Sequence, residues 1–106
     1  MSYNDNIVLG IKIMKKNFKI EAKVWKWPGD ALWHFVNVDK KISEEIRNKY
    51  KKGFVYIRAT IGKTSWDTAL FPHKLSGCYL LSIKASVRKK ENIWEGDVVK
   101  ISFVLR

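Results

Sequence analysis

Residues 18 to 24 alternate strictly, with Phe18, Ile20, Ala22 and Val24 on one parity and Lys19, Glu21 and Lys23 on the other. A period of two is the mark of a strand with one face in a core and the other in water. After Val24 the phase breaks, because Trp25 and Trp27 take the opposite parity, as at a bulge or barrel corner where a strand swings its side chains around. Pro28-Gly29-Asp30 ends this run in a turn, and Trp33 to Val38 reads as the returning strand.

The same reasoning divides the rest of the chain. Asp39 to Lys52 is the segment with clear helical character, since Ile42, Ile46 and Tyr50 recur at i, i+4 and i+8. Ser43 is the expected N-cap, with Glu44 and Glu45 in the first turn, Lys49, Lys51 and Lys52 in the last, and Gly53 as the left-handed stop. Phe54 to Ile61 and Thr64 to Phe71 are β-rich runs joined by Gly62-Lys63, a two-residue loop with glycine first, which predicts a type II′ hairpin. Cys78 to Lys84 is the next strand and Lys84 to Lys90 one or two helical turns. Glu95-Gly96-Asp97 then turns into a last strand whose Val99, Ile101, Phe103 and Leu105 face the core.

With 106 residues there is room for one small domain. The expected fold is all-β with one short helix and a helical turn, a small closed or double-split β-barrel, because closure removes exposed strand edges. Residues 18–106 form that barrel domain, and residues 1–17 an N-terminal extension. Met14-Lys15-Lys16-Asn17 looks like a bacterial translation start, so Met1 to Ile13 are expected to be dispensable.

The opening Phe18-Lys19-Ile20-Glu21-Ala22 with Trp25 to Gly29, then Trp33-His34-Phe35-Val36-Asn37-Val38, form one ordered series of motifs. The hairpin Val55 to Leu70 around Gly62 with Trp66, and a tail of Tyr79 to Ile83, Val87-Arg88-Lys89, Gly96-Asp97 and Val99, complete it. On this series the chain resembles the family catalogued as domain of unknown function 1905, which implies a double-split β-barrel of two sheets with short helices at its ends. The tail, Ile83-Lys84, Val87-Arg88-Lys89, Ile93 and Glu95 to Ile101, is also similar to the strand, helical turn and Gly-Asp turn of swapped-hairpin DNA-binding barrels such as AbrB and the MazE antitoxin.

Lys plus Arg number 21 against 10 Asp plus Glu, a net charge of +11, which favours anionic partners. Yet 17 of the 21 cations are lysine and four arginine, and isoleucine occurs 11 times, the bias an AT-rich genome imposes on any surface. Arginine is the residue that forks onto phosphate. The lone cysteine, Cys78, cannot close an internal disulfide and suits a reducing, cytoplasmic compartment. No apolar run approaches the roughly 20 residues of a membrane-spanning helix.

His34, His73 and Cys78 lack the paired spacing of metal ligands, so no metal and no cofactor is expected. Cys78 with His73 or His34 is the conceivable nucleophilic pair, but no catalytic constellation is recognisable, and the chain reads as a non-enzyme. Trp25, Trp27, Trp33, Trp66 and Trp94 are many for a small domain, and some must be part-exposed. Interleaved with Lys23, Lys26, Lys63 and Arg58, they offer a stacking and charge platform for nucleic acid or an anionic small molecule. Arg58 lies either on the solvent face or in a pocket beside Trp66, where it would anchor a carboxylate or phosphate. Arg88 and Lys89, with Lys90, form the densest cationic cluster. The candidate ligand-binding residues are therefore Arg58, Trp66, Trp25, Trp27, Trp33, Arg88 and Lys89, in a monomer or homodimer. The alternatives are a pocket-bearing enzyme or metabolite binder, and a protein-interaction module.

Overall fold

The structure is a computed structural model that describes residues 16–50 and 53–106. The expected dispensable segment, Met1 to Ile13, lies outside the described residues. Nine elements follow in the order β1 (Asn17–Lys23), β2 (Trp25–Trp27), β3 (Asp30–Asn37), α1 (Lys40–Tyr50), β4 (Val55–Ile61), β5 (Thr64–His73), β6 (Cys78–Ser82), α2 (Ala85–Glu91) and β7 (Val98–Leu105). The strands form one curled antiparallel sheet, a half-barrel, in the order β1-β7-β4-β5-β6-β3-β2. Helix α1 packs against β6, and α2 lies near β5.

The expected closed barrel is instead an open ladder whose two ends, β1 and β2, are consecutive in the chain. The sheet is open because β1 and β2 do not pair with each other. Strand β7 begins at Val98, opposite Lys23, so past that point β1 has no strand to pair with and the chain crosses to β3. Val24 makes the crossing. Its N–H donates to the Asp97 carbonyl and its carbonyl accepts from Gly96 N–H, each at 2.8 Å, so the buried backbone of the corner is satisfied by the turn before β7.

The side-chain phase holds past Val24, and the expected irregularity falls later, as a register shift between Lys26 and Trp27. Lys26 stands opposite His34 and Trp25 opposite Phe35. His34 shares the inward parity of Val36 and Val38, which are fully buried, so Lys26, opposite His34, stands on that same parity at the exposed end of the sheet. The tryptophans mark a second apolar face on the outside of the sheet.

Inside the half-barrel, Phe18, Ile20 and Val24 meet Ile57, Leu70, Leu81, Ile101 and Phe103, with Ile46 from α1 and Val87 from α2. Val99, Ile101 and Phe103 are buried and Leu105 packs against the same cluster, as the alternation of the last strand predicts. Between β4 and β5, Gly62 has φ +57° and Lys63 is not in the left-handed region, which is the type II′ pattern.

Helix α1 departs from its expected start. Asp39 is the N-cap: its carboxylate accepts from Ile42 N–H at 2.9 Å. Ser43 lies inside the helix and is fully buried. Its hydroxyl donates to the Val38 carbonyl and accepts from Tyr79 N–H, both at 3.0 Å, pinning the helix to β6. Glu44 and Glu45 consequently fall beyond the first turn, which holds no acid. The expected stop of this helix runs through Lys51 and Lys52, which lie outside the described residues. Helix α2 ends on a left-handed residue, Asn92 at φ 55°, with Ile93 N–H donating to the Arg88 carbonyl at 2.9 Å. Among the described residues no helix is long and apolar enough to cross a membrane.

Candidate functional site

The β2–β3 hairpin presents different chemistry on its two faces. Outward lie Trp25, Trp27, Trp33 and Phe35; inward lie Lys26 and His34. Each face borders a cavity.

The inner cavity, of about 800 Å³, opens between the hairpin, α2 and the turn that follows it. Lys26, His34, Arg88, Lys89, Trp94 and Glu95 supply its chemistry, with Asn92 and Ile93 completing the wall. Arg88 is held in place by the backbone: Nε donates to the Ile83 carbonyl at 3.0 Å and Nη2 reaches the Leu32 carbonyl at 3.5 Å. These contacts use two of the guanidinium's five donors and fix its charge beside His34. Lys26 Nζ and Glu95 Oε1 approach to 3.4 Å across the mouth. On the rim, Trp94 Nε1 donates to Asn92 Oδ1 at 3.0 Å and Trp94 N–H to Asp97 Oδ2 at 2.8 Å, so an indole that is 69% exposed is nonetheless oriented.

His34 is 8% exposed, and its Nδ1 is buried with no hydrogen-bond partner. Burial holds the imidazole below its usual pKa, and the positive charges of Arg88 and Lys26 push in the same direction. Glu95 and a backbone hydrogen bond with Leu32 pull the other way. Burial and the neighbouring cations thus favour the neutral ring, and Lys26, Arg88, Lys89 and Glu95 are the charged groups that line the cavity.

The outer cavity, about 550 Å³, is an aromatic groove lined by Trp27, Trp33, Phe35, Phe71, Pro72 and His73, among others, with no lysine or arginine in its lining. Trp33 stacks on Phe35 at 6.0 Å and 8°, and Trp27 meets His73 edge-on at 6.4 Å. Trp25 is half-buried beside it, its Nε1 donating to Asn37 Oδ1 at 2.7 Å. The expected platform of interleaved tryptophan and cation is thus split. Trp25, Trp27 and Trp33 lie on the outer face, Trp66 in the core and Trp94 at the cationic cavity, where Lys26 of the platform cations is joined by Arg88 and Lys89 of the separate cationic cluster.

Arg58 and Trp66 belong to neither cavity. Trp66 faces Ala59 across the β4–β5 ladder and is buried in the core, its indole N–H without a partner. Arg58 pairs with Asp67 on the opposite, solvent face, Nη1 to Oδ1 at 3.0 Å, and Arg106 approaches the same carboxylate at 3.4 Å. The pleat separates neighbours in a strand, so the shared Arg58 and Trp66 pocket does not form.

His73 and Cys78 are ladder partners across β5 and β6, yet both turn to the loop between them. His73 Nδ1 bonds Ser76 Oγ at 2.8 Å and the thiol points to the Ser76 carbonyl at 3.6 Å. Among the described residues no three His, Cys, Asp or Glu side chains gather as a metal site.

His34 is the residue whose importance the sequence conceals, standing there as a soft ligand without partners. Lys26 did leave a trace: it continues the inward parity of Ile20, Ala22 and Val24, and a cation on a core-facing parity marks a place where the core gives way to a polar cavity.

The family model described as Domain of unknown function (DUF1905) matches residues 21–103, and the chain belongs to that family. No curated protein matches it.

Proposed function

From the geometry of the inner cavity, we propose that the chain is a non-catalytic binding module for a compact anion. The supporting observation is the convergence of Lys26, Arg88 and Lys89 around the buried His34, with Arg88 pre-positioned by two backbone carbonyls. Charges fixed before binding lose little entropy on capture. A cavity of about 800 Å³ suits a small molecule. An extended nucleic acid fits less well. A strand needs a cationic track with aromatic faces along it, whereas here a carboxylate, Glu95, stands at the mouth and the aromatic groove carries no cation.

Titration calorimetry with inorganic pyrophosphate tests this reading. Binding should weaken as salt rises from about 50 to about 200 mM, because part of its strength is charge neutralisation. Lys89→Glu, at an exposed position, should lower affinity at least tenfold without changing the melting temperature by more than a degree or two. An absence of binding at millimolar pyrophosphate would remove the proposal. Tighter binding of a single-stranded oligonucleotide, with a salt slope of several ions, would replace it with nucleic-acid recognition.

A further inference from the structure

We propose that the ligand of the inner cavity is an aromatic phosphomonoester, a planar ring carrying one terminal phosphate; this deepens the compact-anion reading and rests on it.

Charge supports it first. Lys26, Arg88 and Lys89 contribute three positive charges and Glu95 one negative, a surplus of two. That sum matches the nearly dianionic charge of a phosphomonoester at neutral pH.

Trp94 supports it second. A large indole left 69% exposed in a turn contributes little to the fold, yet its Nε1 is tied to Asn92 and its backbone N–H to Asp97. Among the described residues no cation lies over its ring, although cations lie over Phe18, Tyr50 and Tyr79 elsewhere. The face is open and held still beside Arg88 and Lys89, so a ring tethered to a phosphate in the cavity stacks on it without first ordering the tryptophan. A bare phosphate or a sugar phosphate leaves this surface unused.

The test compares adenosine monophosphate, phenyl phosphate and methyl phosphate by calorimetry on the wild-type chain, Trp94→Leu and Trp94→Phe. Both aromatic esters should bind roughly tenfold or more tighter than methyl phosphate, as stacking on one aromatic side chain provides. Trp94→Leu should bring them down to the level of methyl phosphate and leave methyl phosphate itself unchanged, while Trp94→Phe keeps most of the difference. In the unmodified chain, the Trp94 indole N–H resonance should move with adenosine monophosphate and stay in place with methyl phosphate, a readout that does not depend on any variant folding. Equal affinity for all three esters, with an indifferent Trp94, would overturn the aromatic assignment and leave the anion site standing. Failure of all three to bind would overturn both.

Discussion

Trp33 and His34 are adjacent in β3 and share a small cavity of about 240 Å³, yet only Trp33 borders the aromatic groove and only His34 the cationic cavity. One hairpin thus serves two surfaces.

The pH dependence of stability should carry the signature of His34. Its pKa in the folded chain is lowered from 6.5, first by burial and then by Arg88 and Lys26, so the unfolded chain takes up the proton more readily. The stability linked to this group is intact above pH 6.5 and lost as pH falls through the folded-state value. Between about pH 7.5 and about pH 5, wild-type melting temperature should fall more steeply than that of His34→Gln. Parallel curves would show that His34 does not titrate with folding.

Ser43 holds two buried backbone groups, the Val38 carbonyl and the Tyr79 N–H. Ser43→Ala leaves both without a partner and should cost about 1–3 kcal/mol in urea unfolding. Asp39→Ala, which removes the true N-cap, should cost about 1 kcal/mol. If Ser43→Ala were the milder change, the anchoring of α1 to β6 would be wrongly assigned.

Trp66 fills the core with an indole N–H that has no acceptor. In Trp66→Phe the loss of packed volume opposes the relief of an unpaired donor, so stability should stay within about 1 kcal/mol of wild type; Trp66→Ala should lose about 3–5 kcal/mol. Pyrophosphate affinity should be the same in the phenylalanine variant. A clear loss of affinity there would return Trp66 to the binding site.

Arg58 shares Asp67 with Arg106 on an exposed face. Arg58→Ala should change stability by less than about 1 kcal/mol, since exposed ion pairs are screened by water. Its affinity for pyrophosphate should match wild type within a factor of two or so, and a tenfold loss would mean that the guanidinium reaches a ligand after all.

Much of the fold was legible because the signals involved are local. Alternation marked β1 and β7, glycine at the first loop position set the Gly62-Lys63 hairpin, and the i, i+4, i+8 spacing of Ile42, Ile46 and Tyr50 located α1. The cap of α1 was misplaced for an instructive reason. Ser43 and Asp39 both carry capping chemistry, and the choice between them turned on Tyr79, 36 residues away, which needs the serine hydroxyl.

Periodicity, turn chemistry and net charge are properties of neighbours along the chain, and they determined where strands begin and turn and that the surface is basic. Which cations converge was a different kind of fact. It depended on β7 beginning only at Val98, opposite Lys23, so that the chain crosses to β3, Lys26 comes to lie opposite His34, and α2 brings Arg88 and Lys89 to the same cavity. Tertiary structure alone decided this, because a charged site is a set of distances between residues that no stretch of sequence holds together.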